Sequence, residues 1–571
     1  ETPKSIAFTR SSSYFLSNAN KRNVGIILST YSRPEMLKKA VASVYEQDYK
    51  SWLLYLCDDA SGEETQKLCE AYVKADPAKV RYIGNEKNWG ASPRGRNSAI
   101  LLGECKYYVF LDDDNEMTPN RLSEQVAHML DNPDIGMSWC QSEGWRNGTS
   151  VGLLRANAPK EYDFDTLRRG NYIDTNEIMV NRKVFEQIGM FDERLTGYED
   201  WDFVLRLGKR FTAKHVPMIL NRYGLHEANR LNIKSAEVEA EKETIRARID
   251  TLYDRYRIML VTPPEGRTAR SHKQVFEYVE SAVKKMDWID YRTATSTTAQ
   301  SVAQSFDPHL IVYEYPGIHP IEAFVTGYET LGLCIEEPWG HYRMADRMHL
   351  LSWVATNERN CMARYPRAVL FPSLSAADVH TPKADASKAC DVVIVGHPYA
   401  ERVAAAQALQ PLIAEGVTVT LVGNNWDDGN NAPKGATLVP RVVEGDEYAA
   451  YCHNAKITLV INRTSSRQSM DVGIKPATPA RGFAEAAMGA CILIDDTRAD
   501  LPLYFEPKKE IELWHDHAEM VKKIKMLLKS PKHRDEMRAA AKKRAKQYTY
   551  KERLTRLFML TQSWRGNDEI P

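Results

Sequence analysis

The sequence predicts an α/β protein built from mostly parallel sheets, and three features of the chain support this fold class. Short apolar segments alternate with amphipathic helices from residue 23 to about residue 108. The same alternation begins again at about residue 257, after a charged helical stretch. Strands that alternate with helices form parallel sheets with helices on both faces. The chain of 571 residues also needs several domains, because a single core stops growing at about 250–300 residues.

Four strands are predicted in the first half of the chain, and two of them end in acidic residues. The predicted strands cover residues 24–28, 52–57, 80–83 and 107–111. Between the first two, apolar positions repeat with helical spacing over residues 35–45, which predicts an amphipathic helix. In parallel α/β sheets, ligands bind beyond the carboxyl ends of the strands. The clusters Asp58–Asp59 and Asp112–Asp114 follow strands and therefore mark a candidate ligand site.

The second half of the chain contains six further predicted strands and a helical end. These strands cover residues 257–261, 310–313, 391–396, 417–423, 457–461 and 491–494. They predict two Rossmann-like halves, and the pattern over residues 529–562 is helical. The predicted domains are a first domain over 1–232, a connecting helix over 233–257, and two Rossmann-like halves over 258–388 and 389–571.

The bulk composition is that of a globular protein and indicates its compartment. Lysine plus arginine and aspartate plus glutamate both number 76, so the net charge is zero and gives no support to a nucleic-acid partner. Nine cysteines without a CxxC pair are typical of free thiols in a reducing compartment. No segment reaches the ~18 apolar residues that span a bilayer. We therefore expect a cytoplasmic protein without a transmembrane segment, and the oligomeric state stays open, a homo-oligomer included.

The three aspartates at 112–114 are candidate metal ligands. Alternate residues of an extended segment point the same way, so we expect Asp112 and Asp114 to face one site and Asp113 to point elsewhere. Carboxylate oxygens suit Mg²⁺ or Mn²⁺, which keep coordination positions open for substrate phosphates. A solvated acidic turn would give the same pattern. These residues alone do not decide between the two interpretations.

A second acidic group, Glu199-Asp200-Trp201-Asp202, opens a predicted helix. Acidic residues at this position can simply complement the helix dipole. A carboxylate fixed at a helix N-terminus beside a cleft can also accept a proton from a substrate hydroxyl. The residues by themselves leave a structural and a catalytic interpretation open.

Residues from about 23 to 227 resemble family 2 glycosyltransferases of the GT-A fold, in six segments that follow the family's order. The segments are ILSTYSRP (27–34), ASVYEQDY (42–49), CDDAS (57–61), NWGASPRGRN (88–97), FLDDD (110–114) and the Glu-Asp pair at 199–200. Each segment alone is weak, whereas six in order are specific. The resemblance implies a nucleotide-diphospho-sugar transferase domain. At 93–95 the chain has PRG where relatives usually carry small residues, which leaves the donor sugar open.

The resemblance also implies roles for individual residues. It implies a nucleotide-sugar pocket lined by Thr30, Tyr31, Arg33, Asp58, Asp59, Arg96, Asn97 and Asp113. One of the aspartates at 58 and 59 would contact the base of a UDP- or GDP-sugar. A site for Mn²⁺ or Mg²⁺ would consist of Asp112, Asp114 and His226. Asp200 would be the catalytic base of an inverting displacement, with Glu199 or Asp202 next in line.

The C-terminal half resembles GT-B glycosyltransferases, in particular the spore-maturation-protein group, from about 258 to 565. The matching segments are DVVIVG at 391–396, followed by Glu401-Arg402, and PARGFAEAAMGA at 479–490. Small residues that open a helix let a diphosphate approach backbone N–H groups. By this resemblance Arg481 would contact phosphate and Glu485 the ribose of a second donor. Relatives usually carry that acidic residue one position earlier, and one helical position rotates a side chain by about 100°.

These patterns predict a bifunctional glycosyltransferase that uses a nucleotide sugar and a hydroxyl acceptor on a glycan or glycoconjugate. Four alternatives stay open. They are a transferase acting on modified nucleic-acid bases, as phages use; a single active GT-A domain with a GT-B-like scaffold; a carbohydrate-binding or assembly protein with vestigial sites; and a nucleotidyltransferase. A kinase or NTPase is unsupported, because the sequence has no Walker-type glycine-rich loop.

Overall fold

The structure is a computed structural model that describes most of the chain. It covers residues 23–85, 87–90, 93–102, 105–195, 197–226, 236–250, 255–264, 270–334, 347–358, 360–361, 365, 367–371, 380–463 and 481–563. Residues 1–22 of the predicted first domain and Pro479 of the second donor motif lie outside these ranges. The chain forms two compact units. Of the described residues, the N-terminal unit contains those up to Tyr256 and residues 555–563, and the C-terminal unit contains those from Arg257 to Leu554.

The described part of the N-terminal unit contains a nine-stranded mixed sheet. Its strands are β1 (Val24–Thr30), β2 (Trp52–Asp58), β3 (Val80–Gly84), β4 (Tyr107–Asp112), β5 (Asn115–Met117), β6 (Met137–Arg146), β7 (Thr149–Leu153), β8 (Ile178–Asn181) and β9 (Ala213–Gly224). The order is β3-β2-β1-β4-β8-β6-β9-β5, and β7 pairs with β6. β1 to β4 are parallel, whereas β8 runs antiparallel to both β4 and β6. The parallel half matches the four predicted strands.

Helices cover this sheet as the apolar periodicity predicts. They are α1 (Pro34–Tyr45), α2 (Glu63–Ala75), α3 (Pro93–Leu102), α4 (Arg121–Asp131), α5 (Phe164–Arg169), α6 (Arg182–Ile188), α7 (Glu199–Gly208) and α8 (Ala236–Asp250). All seven residues of β1 are buried, as expected for a parallel strand with helices on both faces. α1 begins with Pro34, which suits the first turn of a helix, and buries Leu37, Ala40 and Val44. Such burial stabilises by about 1.5–3 kcal/mol for each Leu or Val side chain.

The C-terminal unit contains two six-stranded sheets. The first consists of β10 (Tyr256–Val261), β11 (Ile289–Ala294), β12 (Leu310–Glu314), β13 (Thr330–Cys334), β14 (Trp353–Thr356) and β15 (Ala368–Leu370). The second consists of β16 (Cys390–Val395), β17 (Val419–Val422), β18 (Thr437–Val439), β19 (Ala455–Val460), β20 (Ile492–Asp495) and β21 (Glu512–Trp514). The second sheet is parallel throughout, in the order β18-β17-β16-β19-β20-β21. The two sheets correspond to the two predicted Rossmann-like halves.

Helices connect the strands of both C-terminal sheets. They are α9 (Arg270–Lys284), α10 (Ala299–Phe306), α11 (Ala400–Gln407), α12 (Gln410–Ala414), α13 (Gly445–Asn454), α14 (Phe483–Ala487), α15 (Leu501–Tyr504), α16 (His517–Lys529), α17 (Pro531–Ala545) and α18 (Tyr550–Ser563). The predicted helical end of the chain, residues 529–562, corresponds to α17 and α18. Loops at the carboxyl ends of β16, β19 and β20 gather at one edge of the second sheet, where ligands of such sheets bind.

Two helices that the sequence assigned elsewhere contribute to the core of the N-terminal unit. α8 falls within the predicted connecting helix, and its Ile245 and Ile249 are fully buried in the hydrophobic core of this unit. Met559, near the end of α18, is buried in the same core. Ser563 Oγ accepts a hydrogen bond from Met190 N at 2.6 Å. The N-terminal unit therefore includes α8 and the end of α18 in its core.

All nine cysteines lie in described residues, and they are buried free thiols, as predicted. Burial raises the pKa of several of them, Cys69 and Cys140 to about 12. A search of the described helices finds none with the length and apolar character that crossing a membrane requires.

Candidate functional site

The loop after β1 and the turn after β4 form one polar pocket at the carboxyl edge of the sheet. The two strands are parallel neighbours, with Ser29 opposite Asp112. Asp113 is buried and accepts hydrogen bonds from Thr30 Oγ1 at 2.8 Å and from Tyr31 N at 3.3 Å. The Tyr31 residue is 47% exposed beside this pocket. Three of the residues predicted for the nucleotide-sugar pocket are therefore neighbours.

Arg33 joins two of the three aspartates in this turn. Its guanidinium contacts Asp113 Oδ1 at 2.6 Å and Asp114 Oδ2 at 2.9 Å. The expectation that Asp113 points away from the site is wrong. β4 ends at Asp112 and a turn follows, so the alternation of side chains along a strand does not extend to the next two residues. Burial raises the pKa of Asp113 to about 6 although Arg33 opposes this shift.

Arg96 connects the two acidic groups that are remote in sequence. This residue of α3 is only 3% exposed. Its guanidinium contacts Asp112 Oδ1 at 2.9 Å and Glu199 Oε1 at 3.1 Å. A buried arginine is stable when carboxylates neutralise it, so this double ion pair fixes β4, α3 and α7 relative to one another. The acidic groups at 112–114 and 199–200 therefore meet at one buried guanidinium.

Asn176 is a site residue that the sequence did not predict. Its Oδ1 accepts from Asp112 N at 2.7 Å, and its Nδ2 donates to Asp112 Oδ2 at 2.9 Å and to Asp174 Oδ1 at 3.0 Å. It lies on a single helical turn, Thr175–Glu177, just before β8. A lone asparagine in a loop has no periodic pattern that could identify it. The antiparallel strand β8 brings it beside β4.

Asp200 has the environment of a proton acceptor. It lies partly buried at the start of α7, where Asn171 Nδ2 donates to its Oδ2 at 3.1 Å. Burial, followed by repulsion from Glu199 and Asp174, raises the pKa of Asp200 to about 8. A carboxylate whose pKa lies near the working pH is an efficient general base. Asn171, which holds this carboxylate, is a second residue that the sequence did not predict.

His226 lies next to the turn that carries the aspartates. Its Nε2 is 3.0 Å from Asp114 Oδ2. β9 ends two residues earlier, at Gly224, whose N–H donates to Asn115 Oδ1 at 3.0 Å. A Cβ atom on Gly224 would lie 2.1 Å from the backbone oxygen of Asp114. The absence of a side chain at Gly224 therefore permits the close approach that places His226 beside Asp114.

The predicted metal ligands have suitable chemistry but do not form a closed ligand set. Burial and the charge of Asp112 raise the pKa of Asp114. The two carboxylates therefore repel each other, and a bound cation would relieve this repulsion. Among the described residues, no three His, Cys, Asp or Glu side chains are grouped as metal ligands. Asp112 is engaged by Arg96 and Asn176 instead. Asp114 and His226 fit Mg²⁺ or Mn²⁺ if substrate phosphates supply further ligands, as is usual for these ions.

Two predicted site residues have structural roles. Asn97 is 1% exposed, and its amide donates to Phe191 O and accepts from Phe191 N, at 2.8 and 3.0 Å. That Asn97 lies near the base and diphosphate stays a prediction, and its hydrogen bonds hold the segment before α7. Asp202 is fully buried and pairs with Arg206 at 2.9 Å and with Arg248. It is thereby unsuited to act as a base.

The aspartates after β2 differ in their surroundings. Asp58 is buried and accepts from Tyr82 Oη at 2.9 Å. Asp59 is half-buried and accepts from the backbone N–H groups of Trp89 and Gly90, each at 3.1 Å. Asp58 thus braces β2 against β3, while Asp59 shapes the loop that leads to α3. Of the two, Asp59 stays the better candidate for a nucleobase contact.

Known families match both units of the chain. Glycosyl transferase family 2 matches residues 25–189, and glycosyltransferase like family 2 matches residues 166–235. Glycosyl transferase WcaA of Escherichia coli K12, named for colanic acid biosynthesis, is 32% identical over 196 residues, 33% of this chain and 67% of that protein. The chain belongs to glycosyl transferase family 2. A glycosyl transferase-like family also matches residues 386–559 of this family 2 protein.

Other relatives cover similar parts of the family 2 region. Glycosyltransferase MJ1057 of Methanocaldococcus jannaschii is 27% identical over 195 residues, 33% of this chain and 65% of that protein. Protein CgeD of Bacillus subtilis is 31% identical over 121 residues, 19% of this chain and 27% of that protein. The structure of S. aureus TarS residues 1–349 with UDP-GlcNAc has 18% identity and a TM-score of 0.33, with 40% of this chain and 71% of that chain covered.

The family assignment confirms the predicted enzyme class and fold class. The family 2 protein is a glycosyltransferase with nucleotide-sugar donors, with a GT-A-like sheet in its first unit and a GT-B-like unit after it. This prediction rested on six motifs that follow the family's order along the sequence. The residue roles rest on the contacts described above.

In the GT-B-like unit, the predicted donor residues bind each other. Arg481 Nε donates to Glu485 Oε1 at 2.8 Å, and Tyr448 Oη donates to the same carboxylate at 2.6 Å. The other carboxylate oxygen accepts from Gly482 N at 2.9 Å at the start of α14. The ribose contact of Glu485 stays a prediction, and this carboxylate is buried and caps the helix. Because the acidic residue is one helical position later than in relatives, its side chain points into the interior of the protein.

Arg402 is a buried cation of this unit. It is 8% exposed, on α11, and its guanidinium donates to His397 O at 2.9 Å and lies 5.0 Å from the Tyr399 ring. Burial and the charge of Arg481 lower the pKa of Arg402 to about 10. Among the described residues, no carboxylate forms an ion pair with it. A buried cation of this kind at the carboxyl edge of a parallel sheet suits an anionic ligand.

Proposed function

We propose that the N-terminal unit is a metal-dependent, inverting glycosyltransferase that moves a sugar from a UDP- or GDP-sugar to an acceptor hydroxyl, with Asp200 as the base. The observation that carries this proposal is the Arg96 bridge between Asp112 and Glu199. It holds the two acidic groups around one cleft, so donor phosphates and acceptor hydroxyl can meet there. The raised pKa of Asp200 supports the second half of the proposal.

The proposed reaction is a single displacement. Asp200 accepts the proton of the acceptor hydroxyl while the oxygen of that hydroxyl attacks the anomeric carbon. The bond from the anomeric carbon to the phosphate oxygen breaks in the same step. The nucleoside diphosphate leaves with the bonding electron pair. Asn171 holds the carboxylate of Asp200 by a 3.1 Å hydrogen bond, and Arg96 keeps the neighbouring Glu199 away from the proton. Thr30, Tyr31 and the other residues around Asp113 line the donor side.

The proposed cation would be held by Asp114 and His226, with Asp112 beside them. When bound, Mn²⁺ or Mg²⁺ neutralises the negative charge that develops on the leaving diphosphate. The protein keeps these side chains in place through Arg33, which contacts Asp114 at 2.9 Å, and through the glycine at position 224.

The proposed acceptor is a hydroxyl group of a glycan or glycoconjugate. One relative that matches 39% of this chain, and is itself covered to 85%, is named a glucosyltransferase from UDP-Glc to GlcNAc-diphosphoundecaprenol. Another is named for colanic acid biosynthesis. Both names describe transfer to growing glycans, and we propose the same class of acceptor here.

A nucleotide-sugar panel with the full chain tests this function. We expect release of nucleoside diphosphate that depends on Mn²⁺ or Mg²⁺, and a decrease of at least about 100-fold with EDTA, because a cation supplies several kcal/mol of charge stabilisation. Added Mn²⁺ in excess over EDTA serves as the control and should restore the rate. Release of pyrophosphate would instead show nucleotidyl transfer. A rate that EDTA leaves unchanged would contradict the metal site.

We propose a second donor site in the GT-B-like unit, centred on Arg402. Its support is the buried guanidinium of Arg402, which has no carboxylate partner among the described residues. This guanidinium lies 2.4 Å from the position that a Cβ on Gly396 would occupy. The φ angle of Gly396 is 131°, so the glycine also permits a backbone conformation that other residues rarely adopt. The glycine therefore lets the Arg402 guanidinium lie against the backbone at the end of β16, the edge where ligands of parallel sheets bind.

Nucleotide stoichiometry tests the second site. We expect the wild-type chain to bind two nucleoside diphosphates in the presence of Mn²⁺. Arg402→Ala should weaken binding at one of them by about 10–100-fold, the loss typical of a charge-assisted hydrogen bond. Arg441→Ala, which removes an exposed arginine from the same unit, is the control and should bind like the wild type. A wild-type stoichiometry of one would contradict the second site.

A further inference from the structure

A cavity of about 430 Å³ in the N-terminal unit is lined by Asp165, Arg168, Arg169 and Arg246. Three arginines and one aspartate line it, and although Arg246 also pairs with Glu243, the wall keeps a net positive charge. Ligand sites in proteins commonly have volumes of about 300–1,000 Å³, so the cavity has room for a charged group of a substrate. The residues come from α5 and α8, two helices that the reaction proposed above does not use.

The wall of the cavity is held by backbone and ring contacts. Arg246 NH2 donates to Arg169 O at 3.1 Å, and the Arg246 guanidinium lies 5.5 Å from the Trp201 ring. Trp201 in turn donates from Nε1 to Leu167 O at 2.6 Å. Glu243 forms an i,i+3 ion pair with Arg246 on the exposed side of α8. The arginines are thus attached to a framework that includes the residue next to Asp200.

The cavity is close along the chain to the residue that holds the proposed base. Arg169 is two residues from Asn171, whose side chain holds Asp200. Two residues span at most about 7 Å of chain, so the backbone of Arg169 lies close to the segment that holds the base. The donor residues at 30–33 and 113–114 come from other strands and do not line this cavity. A ligand in the cavity would therefore belong to the acceptor.

We propose that this cavity binds a phosphate group of the acceptor, so that the enzyme prefers an acceptor sugar that carries a phosphate or diphosphate. Guanidinium groups recognise phosphate through paired N–H donors, which a single aspartate in the wall does not cancel. The inference rests on the proposed function, since it assigns the acceptor of the same base. It adds a specificity site formed by Arg168, Arg169 and Arg246.

Matched acceptors test this subsite with the full chain. Three compounds with the same sugar are compared: a neutral alkyl glycoside, the glycosyl phosphate, and an alkyl glycosyl diphosphate. We expect the wild type to favour both phosphorylated acceptors. Arg169→Ala should lower the ratio of their kcat/KM to that of the neutral acceptor by about 10-fold, as loss of a charge-assisted contact predicts. Lys160→Ala removes an exposed charge from the same unit and should leave the ratio unchanged.

The experiment separates failure of this inference from failure of the proposed function. Equal use of neutral and phosphorylated acceptors, with a ratio that Arg169→Ala does not change, would overturn the subsite while the transferase stands. If no acceptor reacts, calorimetry with the alkyl glycosyl diphosphate, at saturating nucleoside diphosphate, decides. Weaker binding to Arg169→Ala supports the subsite, and equal binding overturns it. Salt-sensitive binding of a DNA oligonucleotide that Arg169→Ala abolishes would also overturn it, in favour of a nucleic-acid acceptor.

A preference for the alkyl diphosphate over the glycosyl phosphate identifies the source of the phosphate. Such a preference indicates a lipid-linked acceptor, whereas equal use of both indicates a soluble phosphorylated sugar. Both results support the subsite, because both require the phosphate.

Discussion

Asp200→Asn should lower the rate of glycosyl transfer by about 1,000-fold, the middle of the range for loss of a general base. Asparagine keeps the shape of the side chain and its contact with Asn171 but cannot accept the proton of the acceptor. Donor binding should stay within a few-fold of wild type, since the donor residues lie around Asp113 on other strands. Steady-state transfer rates, together with titration of a nucleoside diphosphate, measure the two effects separately.

The pH profile provides a second check on Asp200. The ionised carboxylate is the active form, so the wild-type rate should rise with pH and level off above the pKa of about 8 that its surroundings impose. The groups that set this value are Glu199, Asp174 and, in the opposite direction, Arg96. Asp131→Asn, an exposed aspartate on α4, is the matched control and should keep the wild-type rate and profile. Wild-type turnover by Asp200→Asn would refute the assignment of the base.

Gly224→Ala should lower transfer by about 100-fold, the cost of misplacing catalytic groups by about 1 Å. The added Cβ would lie 2.1 Å from the Asp114 backbone oxygen, so the turn with Asp114 must move away from His226. Because the displaced atoms belong to the main chain, no change of side-chain rotamer can relieve the contact. We expect the concentration of Mn²⁺ that gives half-maximal activity to rise as well.

A second glycine provides the control for this substitution. A Cβ on Gly62 would meet nothing within 4 Å, so Gly62→Ala should retain wild-type activity and metal dependence. Thermal unfolding of both variants shows whether a loss of activity is a loss of folded protein. A Gly224→Ala variant that is folded and has wild-type metal dependence would contradict the role of Asp114 and His226.

The strands of the fold could be predicted because parallel strands leave a strong pattern. β1, β2 and β4 are runs of apolar residues that end in polar clusters, and helices between them repeat with the spacing of one buried face. Their carboxyl ends must meet at one edge, which placed the loop after β1 beside the aspartates after β4. Local periodicity and sheet geometry were sufficient for this half of the site.

The remaining site residues depend on packing that periodicity does not encode. Asn171 and Asn176 reach the site because β8 pairs antiparallel with β4. No local sequence pattern predicts that pairing. The resemblance implied that Asn97 lies near the base and diphosphate of the donor and that Asp202 is an alternative to Asp200 as catalytic base. Their partners, Phe191 and Arg248, come from other segments and occupy their hydrogen-bonding groups.

The prediction for the aspartate turn failed for a related reason. The alternation of side chains holds only while the chain stays extended, and β4 ends at Asp112. In the GT-B-like unit, the sequence indicated the region of the proposed second donor site. It did not indicate which arginine there is paired with a carboxylate. Whether an arginine is neutralised depends on neighbours in space. Arg481 has a carboxylate partner, and Arg402 is left without one among the described residues.

A crystal structure of the full chain with Mn²⁺ and a nucleoside diphosphate would test the arrangement of the active site most directly. We expect one anomalous manganese peak in the N-terminal unit, within bonding distance of Asp114 and His226, with the diphosphate between that peak and Asp200. A manganese ion bound away from Asp114, or a diphosphate separated from Asp200 by the body of the sheet, would contradict a shared cleft for the two acidic groups.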